Sequence, residues 1–271
     1  MDVSVLARQF GRVGARVKVR PSGGRRGFSN IQGTVTINID RDRDGEFFEF
    51  QVQPGSNPLV EAVQIQPDIR HLLLMTRDSE RGEKHKFLCG HDERAWFVAA
   101  VPEVPGIASV AAAMEALKPG LVRQRQNNLR IRSKNRNRRR NEAFIRQGEW
   151  FFIPSPNLNV DPKLVLQNEP LRRGRGKPHV VEFLYRIGGE TVHVSNRYPN
   201  GLTATQYGKL LSRRPEARNW PWSVLRRNPQ VYVRGRVRHS DHKTIELHGW
   251  HQVLMNTETQ AAAMRHVAFV D

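Results

Sequence analysis

The chain has 271 residues and carries 44 Lys+Arg against 26 Asp+Glu, a formal net charge of +18. With 38% hydrophobic residues, 12 Phe and 5 Trp, it can fill one large or two modest cores and is not an unfolded polyelectrolyte. The single cysteine, Cys89, excludes an internal disulfide framework and an all-cysteine zinc site, and the apolar runs fall far short of the ~20 residues of a membrane helix.

In chain order, Asp2 is a helix cap, and Leu6, Phe10 and Val13 then share one helical face. Arg8, Arg12, Arg16 and Arg20 recur every four residues, as in organellar transit peptides, but from Arg16 to Arg20 cation and valine alternate with strand periodicity. With no apolar secretory stretch, a cytoplasmic location is expected. Residues 34–52 read as a hairpin: Val35, Ile37 and Ile39 alternate with polar residues, Phe48, Phe50 and Val52 answer them, and Asp44-Gly45 supplies the turn. Strands follow at 71–76, 86–89 and 96–101. An Ala-rich helix at 109–118 stops at Pro119-Gly120.

The second half repeats this order in outline. Gly148-Glu149-Trp150-Phe151 echoes Gly45-Glu46-Phe47-Phe48, and the Arg-Gly-Lys-Pro-His run at 175–179 echoes Arg-Gly-Glu-Lys-His at 81–85. Each echo leads through two strands to a helix, the later one at 203–213, as a duplicated unit would. A last hairpin joins strands at 230–238 and 243–254 around the turn His239-Ser240-Asp241-His242. Pairing Arg238 with Thr244 sets Arg236 opposite Glu246, Arg234 opposite His248 and Tyr232 opposite Trp250, with Val231, Val233 and Val237 on the buried face. The expected fold is β-rich α+β: two related β-β-β-α units plus a C-terminal β-hairpin, and a short helix at 261–266. The expected divisions are an N-terminal unit (1–118), a basic Arg/Asn-rich segment (119–147) and a C-terminal unit (148–271).

The charge is concentrated. Residues 1–117 are neutral overall, whereas residues 118–146 hold eleven basic residues and one acidic. In that block Arg130, Arg132, Lys134, Arg136, Arg138, Arg139 and Arg140 alternate with asparagines. Guanidinium forks suit phosphate and Asn amides suit bases or sugars, so the block is expected to contact nucleic acid. Arg172, Arg173, Arg175 and Lys177 form a glycine-bearing basic loop without P-loop spacing. Arg234, Arg236 and Arg238, flanked by Tyr232 and Trp250, resemble a sheet platform for stacked bases. Trp220 and Trp222, by contrast, read as core residues.

The histidines are the candidates for chemistry. No metal site and no cofactor is expected: His248 and His251 fall on opposite strand faces, Cys89 and His91 lack partners, and His239, Asp241 and His242 meet only in a turn. His193-Val194-Ser195 and His242-Lys243-Thr244 have the form His-x-Ser/Thr. They resemble the tetrads of two-histidine phosphoesterases, although Asn196 and Lys243 stand at flanking positions that are apolar in that pattern. The resemblance implies His193 and His242 as paired acid and base on a phosphodiester. The leading expectation is thus a non-catalytic nucleic-acid-binding protein, RNA or single strands favoured, without a membrane partner. The alternatives are a histidine-dependent phosphodiesterase or nuclease, and a basic assembly subunit with protein partners in a ribonucleoprotein.

Overall fold

A computed structural model describes residues 1–22, 34–78, 82–173 and 177–261. The expected helix at 261–266 lies almost wholly outside them, as do Arg175 and Gly176 of one echoed run and Arg81 of the other. The described chain is β-rich, 46% strand and 22% helix, in agreement with the α+β expectation.

Helix α1 (Val3–Gly11) is capped by the Asp2 carboxylate, which accepts from the amides of Ser4 and Val5. It buries Leu6 and Phe10. Strand β1 (Val17–Pro21) runs parallel to β3 (Gly45–Val52), whose other neighbour is β2 (Val35–Asp42); the expected hairpin is present, with Asp42 opposite Gly45. A second sheet is the meander β4 (Leu59–Gln66), β5 (His71–Arg77), β6 (Lys84–Asp92) and β7 (Ala95–Val101). Its strand β5 is covered on both sides. Leu72 and Leu74 join Phe10, Phe48, Phe50 and Phe87 in one core, while Leu73 turns to Leu88, Val101 and the Val110, Ala113 and Leu117 side chains. That alternation explains an unbroken apolar run that is nevertheless a strand.

Helix α2 (Val110–Ala116) is capped by Ser109. Pro119 ends it and also starts the next: α3 (Gly120–Asn128) and α4 (Ser133–Arg136) give the basic segment a folded path. Lys118 is buried there, bonded to Glu115, Gln126 and the Arg136 carbonyl.

The C-terminal half is built on a six-stranded sheet. It comprises β8 (Ile145–Gln147), β9 (Trp150–Pro154), β10 (Leu166–Leu171) and β11 (His179–Ile187), with two later strands inserted between β11 and β9. A small sheet branches off: β12 (Glu190–Ser195) lies between β13 (Tyr198–Thr203) and β14 (Ser223–Arg227), with α5 (Ala204–Arg213) capped by a Thr203–Gln206 box. The chain then returns through β15 (Gln230–Arg238) and β16 (Ile245–Met255). The two halves share element order but not pairing. β6 and β7 are hydrogen-bonded neighbours, whereas the corresponding β11 and β12 belong to different sheets.

The last hairpin keeps part of the expected register. Arg236 lies opposite Glu246, but beyond Gly235↔Leu247 the next pair is Val233↔His251, so Tyr232 faces Gln252 rather than Trp250. A bulge absorbs the extra residues on β16. Gly235 and Gly249, at φ 79 and 80, supply the left-handed backbone it needs. The apolar face survives the shift, and Val233, Val237, Leu247 and Val253 pack with Phe152, Val181 and Leu184.

Candidate functional site

Antiparallel pairing of β11 with β15 places Val180 opposite Arg238. His179, at the start of β11, therefore meets His239 just past the end of β15, and the turn brings His242 to the same place. Ring centroids are 4.1 Å apart for His179 and His239, 4.8 Å for His239 and His242, and 5.5 Å for His179 and His242. One nitrogen from each ring lies within 4.8 Å of the others. His179 is buried, 2% exposed. Burial, then the two neighbouring imidazoles, push its pKa down to about 3, and burial also lowers that of His242, so these two rings are neutral near pH 7.

Little in the protein satisfies these rings. Both nitrogens of His179 and Nδ1 of His242 are buried without a hydrogen bond among the described residues. His239 Nδ1 accepts the Asp241 amide at 3.2 Å. Asp241 itself pairs with Lys177 at 2.9 Å. Gly148, at φ 56, lies against the cluster: a Cβ there would stand 3.0 Å from His242 Nε2 and 3.3 Å from His179 Nε2.

The N-terminal half supplies the carboxylates. Asp92, the last residue of β6, and Glu93, in the β6–β7 turn, are clamped by Arg139, and Arg146 reaches Asp92 at 3.2 Å. Glu93 Oε2 lies 3.8 Å from His242 Nδ1 and accepts the Lys243 amide at 2.6 Å. Glu93 adopts φ 55, a costly conformation for this residue type. A cavity of about 490 Å³ opens beside the histidines; His179, His239, His242, Asp92, Arg146 and Lys177 are among its polar lining and Trp96 and Phe151 among its apolar lining.

The residues expected to bind nucleic acid divide into two groups. Arg136 is paired with Glu115, Arg139 with Asp92 and Glu93, Arg173 with Glu258, Lys177 with Asp241 and Arg236 with Glu182. Arg130, Arg132, Lys134 and Arg138 are exposed, and no carboxylate of the described residues lies within ion-pair distance. Arg140 is exposed and donates to the Glu246 carbonyl at 3.4 Å, and Arg172 is exposed. Arg234 stands over the rings of Phe183 and Trp250, 5.0 Å from each centroid, and Arg238 donates to Asn168. Tyr232 donates to Gln230, and Trp250 packs edge-on against Tyr185. The structure does not bring His193 to His242: His193 stacks on Tyr207 at 4.1 Å, in the small sheet.

Sequence reasoning placed His179 only at the start of a strand and not in a site. It also put Trp220 and Trp222 in the core, whereas both are half-buried in an open stack: Tyr198, Trp220 and Trp222 lie nearly parallel with centroids 5.9–6.3 Å apart, and Arg197 sits 4.3 Å over Trp220. Their period-two spacing beside Arg213, Arg214 and Arg218 was the available signal. No helix among the described residues is long and apolar enough to cross a membrane. No family model, no curated protein and no solved structure matches this chain.

Proposed function

We propose that this chain is a nucleic-acid-binding protein with a preference for RNA or single strands. The observation that carries the reading is the group Arg130, Arg132, Lys134 and Arg138: four exposed cations on folded backbone, with no described carboxylate in reach to neutralise them. Cations held close together and left unpaired concentrate positive potential, and a polyanion releases counterions on meeting them. The stacked Tyr198, Trp220 and Trp222 with Arg197 add flat π-surface of the kind on which unpaired bases stack, which favours single strands over duplex.

The test is a salt titration of the full chain against labelled single-stranded RNA, duplex RNA and duplex DNA. Replacing Arg130, Arg132, Lys134 and Arg138 with Ala is expected to weaken binding to all sequences alike. It should also reduce the slope of log K against log salt by roughly 3 on single strands, from about 0.7 per lost phosphate contact. Unchanged affinity and slope would refute the assignment.

A further inference from the structure

We propose that His179, His239 and His242 bind one divalent transition-metal ion of the zinc class, and that this ion activates a water for hydrolysis of a phosphodiester held in the adjoining cavity. The substrate class rests on the nucleic-acid reading above; the metal site does not.

The donor chemistry comes first. Three imidazoles with no carboxylate among them suit zinc, copper or nickel and are poor ligands for magnesium or calcium. Three protein ligands also leave a tetrahedral ion one open position, the arrangement of hydrolytic rather than structural zinc sites. Here all three histidines line a cavity that a substrate could enter.

The orphaned nitrogens come second. A buried polar atom without a partner is costly, and both ring nitrogens of His179 are such atoms among the described residues. Ordinary packing of three histidines leaves that cost unrecovered, whereas a cation bound through one His179 nitrogen recovers part of it. His239 spends its Nδ1 lone pair on the Asp241 amide at 3.2 Å, a bond long enough for a cation to displace.

The surroundings come third. His242 turns Nδ1 toward the Glu93 carboxylate at 3.8 Å and Nε2 toward Gly148. A carboxylate behind one nitrogen fixes the other as the donor, the usual support of a metal-binding histidine. Glu93 is held for this by Arg139, by the Lys243 amide and by its own left-handed backbone. Gly148 leaves open the space that both the His179 and His242 Nε2 atoms border, and a side chain would fill it. Zinc–nitrogen bonds of about 2.0–2.1 Å at tetrahedral angles place donors about 3.3 Å apart. The present limit of 4.8 Å requires only a short inward movement of the rings.

In the reaction, the oxygen of the metal-bound water adds to phosphorus and the ester P–O bond breaks. The proton lost by the water ends on the departing oxygen, so the only co-reactant is one water. Arg146 and Lys177 line the same cavity but are paired with Asp92 and Asp241, so the metal ion supplies the free positive charge that meets the phosphate.

The full chain, stripped with chelator and dialysed against zinc, is expected to retain about one ion, and His179→Ala, His239→Ala and His242→Ala each to retain none. Cobalt loading of the wild-type chain gives a second readout that needs no variant to fold: an intense tetrahedral visible spectrum is expected, and a weak octahedral one would overturn the site. Zinc retention unchanged in His239→Ala, whose position in a loop leaves the sheet intact, would overturn it too. The loaded chain is then given labelled RNA and bis(p-nitrophenyl) phosphate, a diester too small to need a nucleic-acid-binding surface. Cleavage of both, lost in His239→Ala while RNA binding persists, supports the proposal. Cleavage of the small diester by a chain that binds no RNA supports the metal chemistry and refutes the nucleic-acid reading. A chain that holds zinc on these histidines and cleaves neither diester overturns the hydrolytic role.

Discussion

Arg138 and Arg139 are neighbours in sequence and opposites in the fold. Arg138 is exposed with no described carboxylate in reach; Arg139 is half-buried and clamps Asp92 and Glu93 beside the histidine cavity. The same division runs through the whole basic segment, where Arg130, Arg132 and Lys134 face solvent while Arg136 and Arg146 neutralise Glu115 and Asp92. A count of charges therefore overstates the field available to a ligand. Part of the positive charge holds the two halves of the molecule together, and only the remainder is free to recruit phosphate.

The comparison breaks most visibly in stability. Arg139→Ala strands Asp92, which is 6% exposed, with only Arg146 for compensation, and is expected to cost about 3 kcal/mol in denaturant unfolding. Arg138→Ala is expected to stay within about 0.5 kcal/mol of wild type. Equal losses would mean that the two arginines do the same work. On the ligand side, Trp220→Ala is expected to weaken single-strand binding by about 1–3 kcal/mol, the worth of one base stacked on an aromatic ring, and to leave duplex binding nearly unchanged. Equal loss on duplex would assign the stack to the small sheet's own packing.

Acid sharpens the contrast between interior and surface. Burial lowers the pKa values of His71 and His251, so the unfolded chain takes up protons on these residues before the folded chain does. Their neutral burial is compatible with full stability above the ordinary histidine value of about 6.5, and that stability is lost as pH falls below it. Thermal melts at pH 7.5 and 5.5 should show a lower Tm in acid, and a flat profile would contradict the burial of these two rings. The smallest effect belongs to single surface cations. Arg138→Ala should lower the salt slope on single strands by about 0.7 and Arg139→Ala, judged on chain confirmed folded, by nothing measurable.

What was legible in the sequence was what neighbouring residues decide. The Asp2 cap, the hairpin of β2 and β3, the strands β5 to β7 and the Thr203 start of α5 all follow from side chains a few positions apart. Strand β14 escaped because its exposed Val224 and Leu225 do not alternate with buried residues. The register of the last hairpin was right at Arg236 and wrong at Tyr232, because a bulge between them turns on two glycines that a strict period of two cannot accommodate. The candidate site was half legible. His239 and His242 are close in the chain, but His179 joins them only through the pairing of β11 with β15, and Asp92 and Glu93 come from the other half of the molecule. No local pattern encodes a contact across such separations.

The order β1-β3-β2 has a kinetic consequence. β2 and β3 can close on each other as soon as both have been made, but β1 lies parallel to β3 and so finds no partner in the sheet until Val52 has been added. The longer wait is at β11, whose β15 edge stays bare until Arg238 is in place. During synthesis, then, His179 waits some sixty residues for His239, and long-range pairings of this kind form late and slowly. The three imidazoles converge only after both halves of the six-stranded sheet exist, so a chain halted before the last hairpin would carry the basic segment without the cluster.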